Sequence, residues 1–203
     1  MKRVLLLGAG EHALVVAEAA TLLGLSVVGA VAPPDAACRL PRLGSDEDLA
    51  GAPPWAACPW HIAVGAVALR ARLAERWRPQ AAWQTIVHPT AWVSPSAQLA
   101  RGVFVGPRAV VHAAARIGEH AVINSAAVIE HDVEIGACSH IAPGAVIGGG
   151  ARLGARVFVG LGARLRDHIA VGDDAVIGMG AVAVRDVPPA VTVLGVPARE
   201  RGR

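Results

Sequence analysis

The chain has 203 residues, a formal net charge of +3 and a hydrophobic fraction of 54% that alanine inflates. That length supports one large or two small domains with an ordinary core, without disulfide or metal staples. No run approaches the ~20 apolar residues of a bilayer helix, and the arginines are scattered singly, unlike the clustered patch with interleaved aromatics of a nucleic-acid binder.

The opening MKRVLLLGAGEHALVV has a basic tip and an apolar run like a secretion signal, but Gly8, Gly10, Glu11 and His12 interrupt it at once. It reads instead as a first strand entering a glycine loop. HALVVAEAATLLGL then carries apolar residues at helical spacing, and SVVGAV follows as a second strand, so the start is a βαβ unit. Residues 32–60, rich in proline and small side chains, read as loop with one turn of helix near Asp46 to Leu49. HIAVGAVALRARLAERW completes the unit as another strand and helix.

Gly8-x-Gly10-x-x-Ala13 superficially fits a dinucleotide fingerprint, but the ribose-binding acid is missing after the second strand, where GAVAPP stands. A truncated nucleotide-binding fold fits better, its helix amino terminus offering a phosphate or carbonyl anchor. Cys38, Cys58 and Cys138 form neither a CxxC pair nor an even framework, which favours a reduced, cytoplasmic setting.

From Val87 to Ile177 every sixth residue is aliphatic. Glycine often follows it, as at Gly106, Gly118 and Gly136, and alanine often stands two before it, as at Ala91, Ala97 and Ala109. A six-residue period is wrong for a helix, whose stripe recurs at about 3.6 residues, and too long for simple strand alternation. It suits a parallel β-solenoid in which each hexad is a short strand and a corner, the aliphatic residue on the axis and glycine easing the turn. The period ends near Ile177, and the prolines beyond it close the ladder.

A small βαβ segment followed by hexads resembles the NeuD family of sialic-acid O-acetyltransferases, which includes bacillosamine and perosamine N-acetyltransferases. The residues that carry the resemblance are GAGEHALVV (8–16), IAVG (62–65), TIVHPTAWVSPSA (85–97), INSAAVIEHDVEIGACSHIAPGAVIGG (123–149) and GVPAR (195–199). The resemblance implies an α/β amino-terminal βαβ (Rossmann-like) domain over 1–84 for a nucleotide sugar, then a left-handed parallel β-helix acyltransferase domain over 85–203. Three hexads would make one coil, so residues 18 apart stack and Gly149 lies one coil beyond His131.

The implied activity is acetyl transfer from acetyl-CoA to the amine of a nucleotide-linked amino deoxysugar in surface-glycan biosynthesis. His131 would be the general base, Asp132 its orienting acid and the Gly149 N–H the oxyanion donor. Imidazole titrates near neutrality, and a carboxylate stabilises the imidazolium formed during attack. Asn124 and His140 would line the acetyl and pantetheine part of the pocket, with Leu161 and Met179 further along the coenzyme channel. Gly8, Gly10, His12 and Asp35 would contact the nucleotide sugar, although Glu11 and Ala13 replace the family's loop glycines and the usual acidic pair is absent apart from Asp35. Asn124, His131 and His140 cannot share one corner of one coil, so the resemblance implies a homotrimer with intersubunit sites. No metal is expected.

Sugar O-acetylation is the nearest alternative, because one base serves either nucleophile. A zinc carbonic-anhydrase-like trimer using His112, His131 and His140 and a noncatalytic nucleotide-sugar scaffold are further alternatives. His61, His120 and His168 read as structural or surface histidines.

Overall fold

The computed structural model describes residues 2–201. Met1, Gly202 and Arg203, the extremities of the two segments expected from sequence, lie outside the described residues. Strand β1 (Arg3–Leu7), helix α1 (Glu11–Leu22) and strand β2 (Ser26–Val31) form the βαβ unit at the start. Strand β3 (Arg42–Gly44), helix α2 (Asp46–Ala50), strand β4 (Trp60–Ile62) and helix α3 (Val67–Trp77) follow. The four strands pair in parallel in the order β3-β2-β1-β4. Parallel strands covered on both faces need continuous apolar runs, and Val4 to Leu7 is such a run, fully buried. Helix α2 lies where the sequence indicates, started by a reciprocal bond pair between Ser45 and Asp48. Strand β3 is not visible in sequence because three residues at a sheet edge carry no periodic signal.

From Ile86 onward two-residue strands build a triangular solenoid with three parallel sheets. From Ile86 to Ala183 its ladders pair residues 18 apart, as in Ile123 with Ile141 and Ile129 with Ile147. The second residue of each strand fills the axis: Val105, Ile123, Ile141, Val159 and Ile177 are all buried in one continuous core. Burying each such side chain contributes about 1.5–3 kcal/mol. The first residue of each strand points outward. On face one these are Ile86, Phe104, Val122, His140, Phe158 and Val176. Face two presents Trp92, Val110, Val128, Val146, Arg164 and Val182, and face three presents Gln98, Arg116, Glu134, Arg152 and Ala170.

Two expectations are corrected. The solenoid does not end at Ile177: Val182–Ala183 still pairs with Arg164–Leu165, and Thr192–Leu194 extends face one before Arg199–Glu200 caps it antiparallel. The prolines, at 188 and 189, fall in a turn and spare the ladder. Nor do the glycines after the axial residues ease the turns. The left-handed backbone position falls two residues later and is filled by residues such as Arg108, Asp132 and Asp174. Gly118 and Gly160 serve close approach instead, since a Cβ there would lie 2.7 Å from Ala137 N and 2.6 Å from Met179 N of the next coil.

The amino-terminal segment docks on face one. Ile86, Phe104 and Val122 join the core of α1 and the sheet, including Ala13, Val16 and Ala20.

Candidate active site

Glu130, His131 and Asp132 form the corner where face two turns into face three. Asp132 takes the left-handed position (φ 59°), a conformation aspartate tolerates better than most residues, and its N–H donates to Ala113 O. This turn brings its Oδ2 to 2.9 Å from His131 Nδ1. With a carboxylate on Nδ1, the neutral ring carries its proton there and leaves Nε2 with a lone pair. His131 is well exposed, and the carbonyl of His131 accepts from Gly150 N–H, which ties the corner to the next coil.

Gly149 lies one coil on, buried against that ring. A Cβ at Gly149 would stand 2.8 Å from His131 Nε2. Among the described residues the Gly149 N–H donates to no acceptor. Glu130 takes no part in this arrangement. It turns toward the previous coil, 4.0 Å from His112 Nε2, while the His112 ring leans on Trp92.

A second cluster occupies the junction of the amino-terminal segment with face one. His140 is buried, and its Nδ1 lies 3.0 Å from Gly65 O while Nε2 lies 3.2 Å from Asn124 Nδ2. A carbonyl only accepts, so Nδ1 donates and Nε2 accepts from the Asn124 amide. Asn124 Oδ1 in turn accepts from Ser125 N–H. Burial pushes the His140 imidazole down to about 4, the Gly65 bond opposes this, and the Arg70 charge adds to it, so the ring is neutral at pH 7. His12, in the first turn of α1, packs edge-on against Phe104 with its ring centroid 6.2 Å from that of His140. Its Nε2 is buried without a partner, and burial first, then His140, lowers its pKa to about 3.

The structure therefore gathers His131, Asp132 and Gly149 at one edge of face two and places Asn124 at the opposite edge, in contact with His140 of face one. Leu161 and Met179 line the same edge as Asn124, on successive coils, as exposed apolar side chains. His112, His131 and His140 do not converge in the chain, and among the described residues no group of three His, Cys, Asp or Glu could hold a metal ion.

The residues expected to meet the nucleotide are spread. Gly8 has φ +109° and packs against the 63–64 backbone, where a Cβ would stand 2.9 Å from Ala63 O. Gly10 is the N-cap of α1 and is open to solvent, with Glu11 beside it. Asp35 is exposed in the loop after β2 and, among the described residues, has neither hydrogen bond nor ion pair.

Sequence reasoning missed Arg70 and Gly65. Arg70 is buried to 1% exposure and donates to the carbonyls of Val64, Gly65, His120, Cys138 and Ser139. The signal was present: Arg70, Ala74 and Trp77 are the buried stripe of α3, so a cation stands at i of an i, i+4, i+7 apolar pattern.

The family model described as bacterial transferase hexapeptide (six repeats) matches residues 114–149. No curated protein matches the chain by sequence. Among solved structures, perosamine N-acetyltransferase from Caulobacter crescentus, in complex with CoA and GDP-perosamine, is 35% identical with a TM-score of 0.94, covering 100% of this chain and 98% of that one. Two of its structures carry a histidine replaced by asparagine or alanine. The acetyltransferase domain of PglB from Neisseria gonorrhoeae FA1090 is 32% identical with a TM-score of 0.93, covering 99% and 100%, and has also been solved with acetyl coenzyme A. WeeI from Acinetobacter baumannii AYE shares the fold, at 18% identity and a TM-score of 0.73. With identity of this level over its whole length, the chain belongs to the hexapeptide-repeat sugar acetyltransferases.

Proposed function

We propose that the chain transfers acetyl from acetyl-CoA to the amine of a nucleotide-linked amino deoxysugar, by direct attack and without a metal. The observation that carries this is the His131–Asp132 pair, with His131 Nε2 unpartnered beside the free Gly149 N–H. The neutral sugar amine adds to the thioester carbonyl as His131 Nε2 takes its proton. Asp132 holds the imidazolium that results. The carbonyl oxygen becomes an oxyanion on the Gly149 N–H, and a donor placed there is worth about 2.7–4 kcal/mol in comparable acyl-transfer sites. Collapse forms the amide, breaks the C–S bond and releases the coenzyme thiolate, which takes from His131 the proton that came from the amine.

The nucleotide sugar falls to residues 1–84, with Gly8, Gly10, His12 and Asp35, and the coenzyme to 85–203 along Leu161 and Met179. GDP-perosamine, bound by the Caulobacter relative, is the first acceptor to test. Outside strand positions, face two carries Val110, Val128 and Val146 between the two edges that hold the candidate groups. Packing that apolar face against a second copy would bring His131 of one protomer toward Asn124 and His140 of its neighbour, which supports a homotrimer. Among the described residues no helix is long and apolar enough to cross a membrane, and three unpaired cysteines suit a cytoplasmic setting.

Purified protein is incubated with acetyl-CoA and a panel of guanosine- and uridine-diphosphate amino sugars and their hydroxyl counterparts, with products identified by mass spectrometry. An alkali-stable acetyl amide on an amino sugar is expected. An alkali-labile ester on a hydroxyl sugar would replace this reading with O-acetylation.

A further inference from the structure

Arg70 is a buried cation for which, among the described residues, no ion pair is found. Burial pulls its pKa down to about 10, which still leaves it charged at neutral pH. An unpaired charge in an apolar interior is costly unless its hydrogen-bonding capacity is filled. Five carbonyl contacts do this: Nε to His120 O at 3.0 Å, Nη1 to Val64 O at 2.7 Å and Gly65 O at 2.9 Å, Nη2 to Cys138 O at 2.8 Å and Ser139 O at 3.3 Å.

These acceptors come from two places. Val64 and Gly65 belong to the loop after β4, while His120, Cys138 and Ser139 lie on successive coils at the corner leading into face one. The carbonyls of Cys138 and Ser139 immediately precede His140, and Gly65 O is the acceptor of the His140 Nδ1–H. Arg70 thus grips the backbone just before His140 and also the group that bonds its ring. A merely structural cation would need only the first of these.

We infer that Arg70 is a positioning residue, which sets the orientation and the Nδ1–H tautomer of His140 through the Gly65 carbonyl and so keeps Nε2 as the acceptor facing Asn124. The chain of contacts runs from guanidinium to Gly65 C=O, to His140 Nδ1–H, and from Nε2 to the Asn124 amide. Losing Arg70 frees residues 64–65 from the corner, and the Gly65 oxygen then no longer defines which His140 nitrogen holds the proton. This inference rests on the proposed acetyl transfer for its kinetic consequence, but its structural content does not depend on turnover.

The test uses the full chain with Arg70→Met, which keeps the volume and removes every donor, and Arg70→Lys, which keeps the charge and part of the bonding. Nitrogen-15 imidazole spectra of His140, assigned with a His140→Gln control, report the tautomer directly. Expected is a single Nδ1–H form in the native chain and a mixture or the opposite tautomer in Arg70→Met, with Arg70→Lys between. Turnover should fall on the order of 10- to 100-fold in Arg70→Met, as for displaced groups at a reacting centre, with partial recovery in Arg70→Lys. If Arg70→Met does not fold, the Arg70→Lys spectrum decides. A folded variant with an unchanged His140 tautomer overturns the inference. Absence of acetyl transfer in the native chain would instead contradict the proposed function and leave the spectroscopic result standing.

Discussion

Gly149 lies against the ring of His131, so that a Cβ on it would meet Nε2 at 2.8 Å and Cε1 at 2.9 Å. A contact under 3.0 Å cannot persist, and the exposed ring is the part able to move. Gly149→Ala should therefore leave the fold nearly intact and swing Nε2 away from the Gly149 N–H. The expected loss in kcat is on the order of 100-fold, with the thermal midpoint within a few degrees of the native chain. Native-like turnover in this variant would separate Gly149 from the reaction.

Asp132→Asn keeps a residue that tolerates the left-handed backbone of the corner, and its Oδ1 can still accept from His131 Nδ1–H. It removes only the negative charge. Turnover should drop about 10- to 100-fold, because the imidazolium formed during attack has lost its stabilising partner. Native-like turnover would mean that the carboxylate plays no electrostatic part.

His131 and Asn124, the latter in contact with His140 of face one, occupy opposite edges of face two, so in the proposed homotrimer a site using both would be shared between protomers. Mixing denatured His131→Ala and Asn124→Ala chains and refolding them together should restore activity, since some interfaces then pair His131 of one chain with Asn124 of another. Each variant refolded alone should stay inactive. No recovery on mixing, with assembly confirmed, would place the site within single chains.

Four rings near the junction of the amino-terminal segment with face one are held neutral by burial: His12 at about 3 and His61, His120 and His140 at about 4. Their folded pKa values lie below the unfolded value of 6.5, so the unfolded chain binds more protons between these limits. The contribution is complete above pH 6.5 and is lost as pH falls toward 4. For a fully buried ring such as His61 the effect is on the order of 3 kcal/mol. Urea unfolding should show a midpoint that declines from pH 7.5 to pH 4.5, above most of the range in which exposed carboxylates titrate. A flat midpoint over that interval would show that protonated rings are accommodated at the junction.

Much of this was legible in the sequence, for reasons that differ by element. The solenoid announced itself because a residue on a narrow axis must be aliphatic in every coil, so Val105, Ile123 and Ile141 write the period directly. The His131 corner was legible because charges interrupt an otherwise small and aliphatic stretch. The role of the hexad glycines was misread, since chain-to-chain spacing between coils is not a local property; it shows in the approach of Ala137 to Gly118 and of Met179 to Gly160. The junction was illegible for the same reason. Gly65 lies 75 residues from His140, and nothing local says that the cation of α3 will bond the corner of a solenoid coil 68 residues later, at Cys138.

The central claim is that His131 removes the proton as acetyl leaves the coenzyme. The most direct measurement is free-thiol release from acetyl-CoA by His131→Asn and the native chain, at saturating GDP-perosamine or whichever amino sugar the panel selects, with coenzyme binding followed by calorimetry on the same samples. Binding should be retained while turnover falls by about 10²- to 10⁴-fold, the range expected for loss of a general base. Turnover within a few-fold of the native chain would contradict the account.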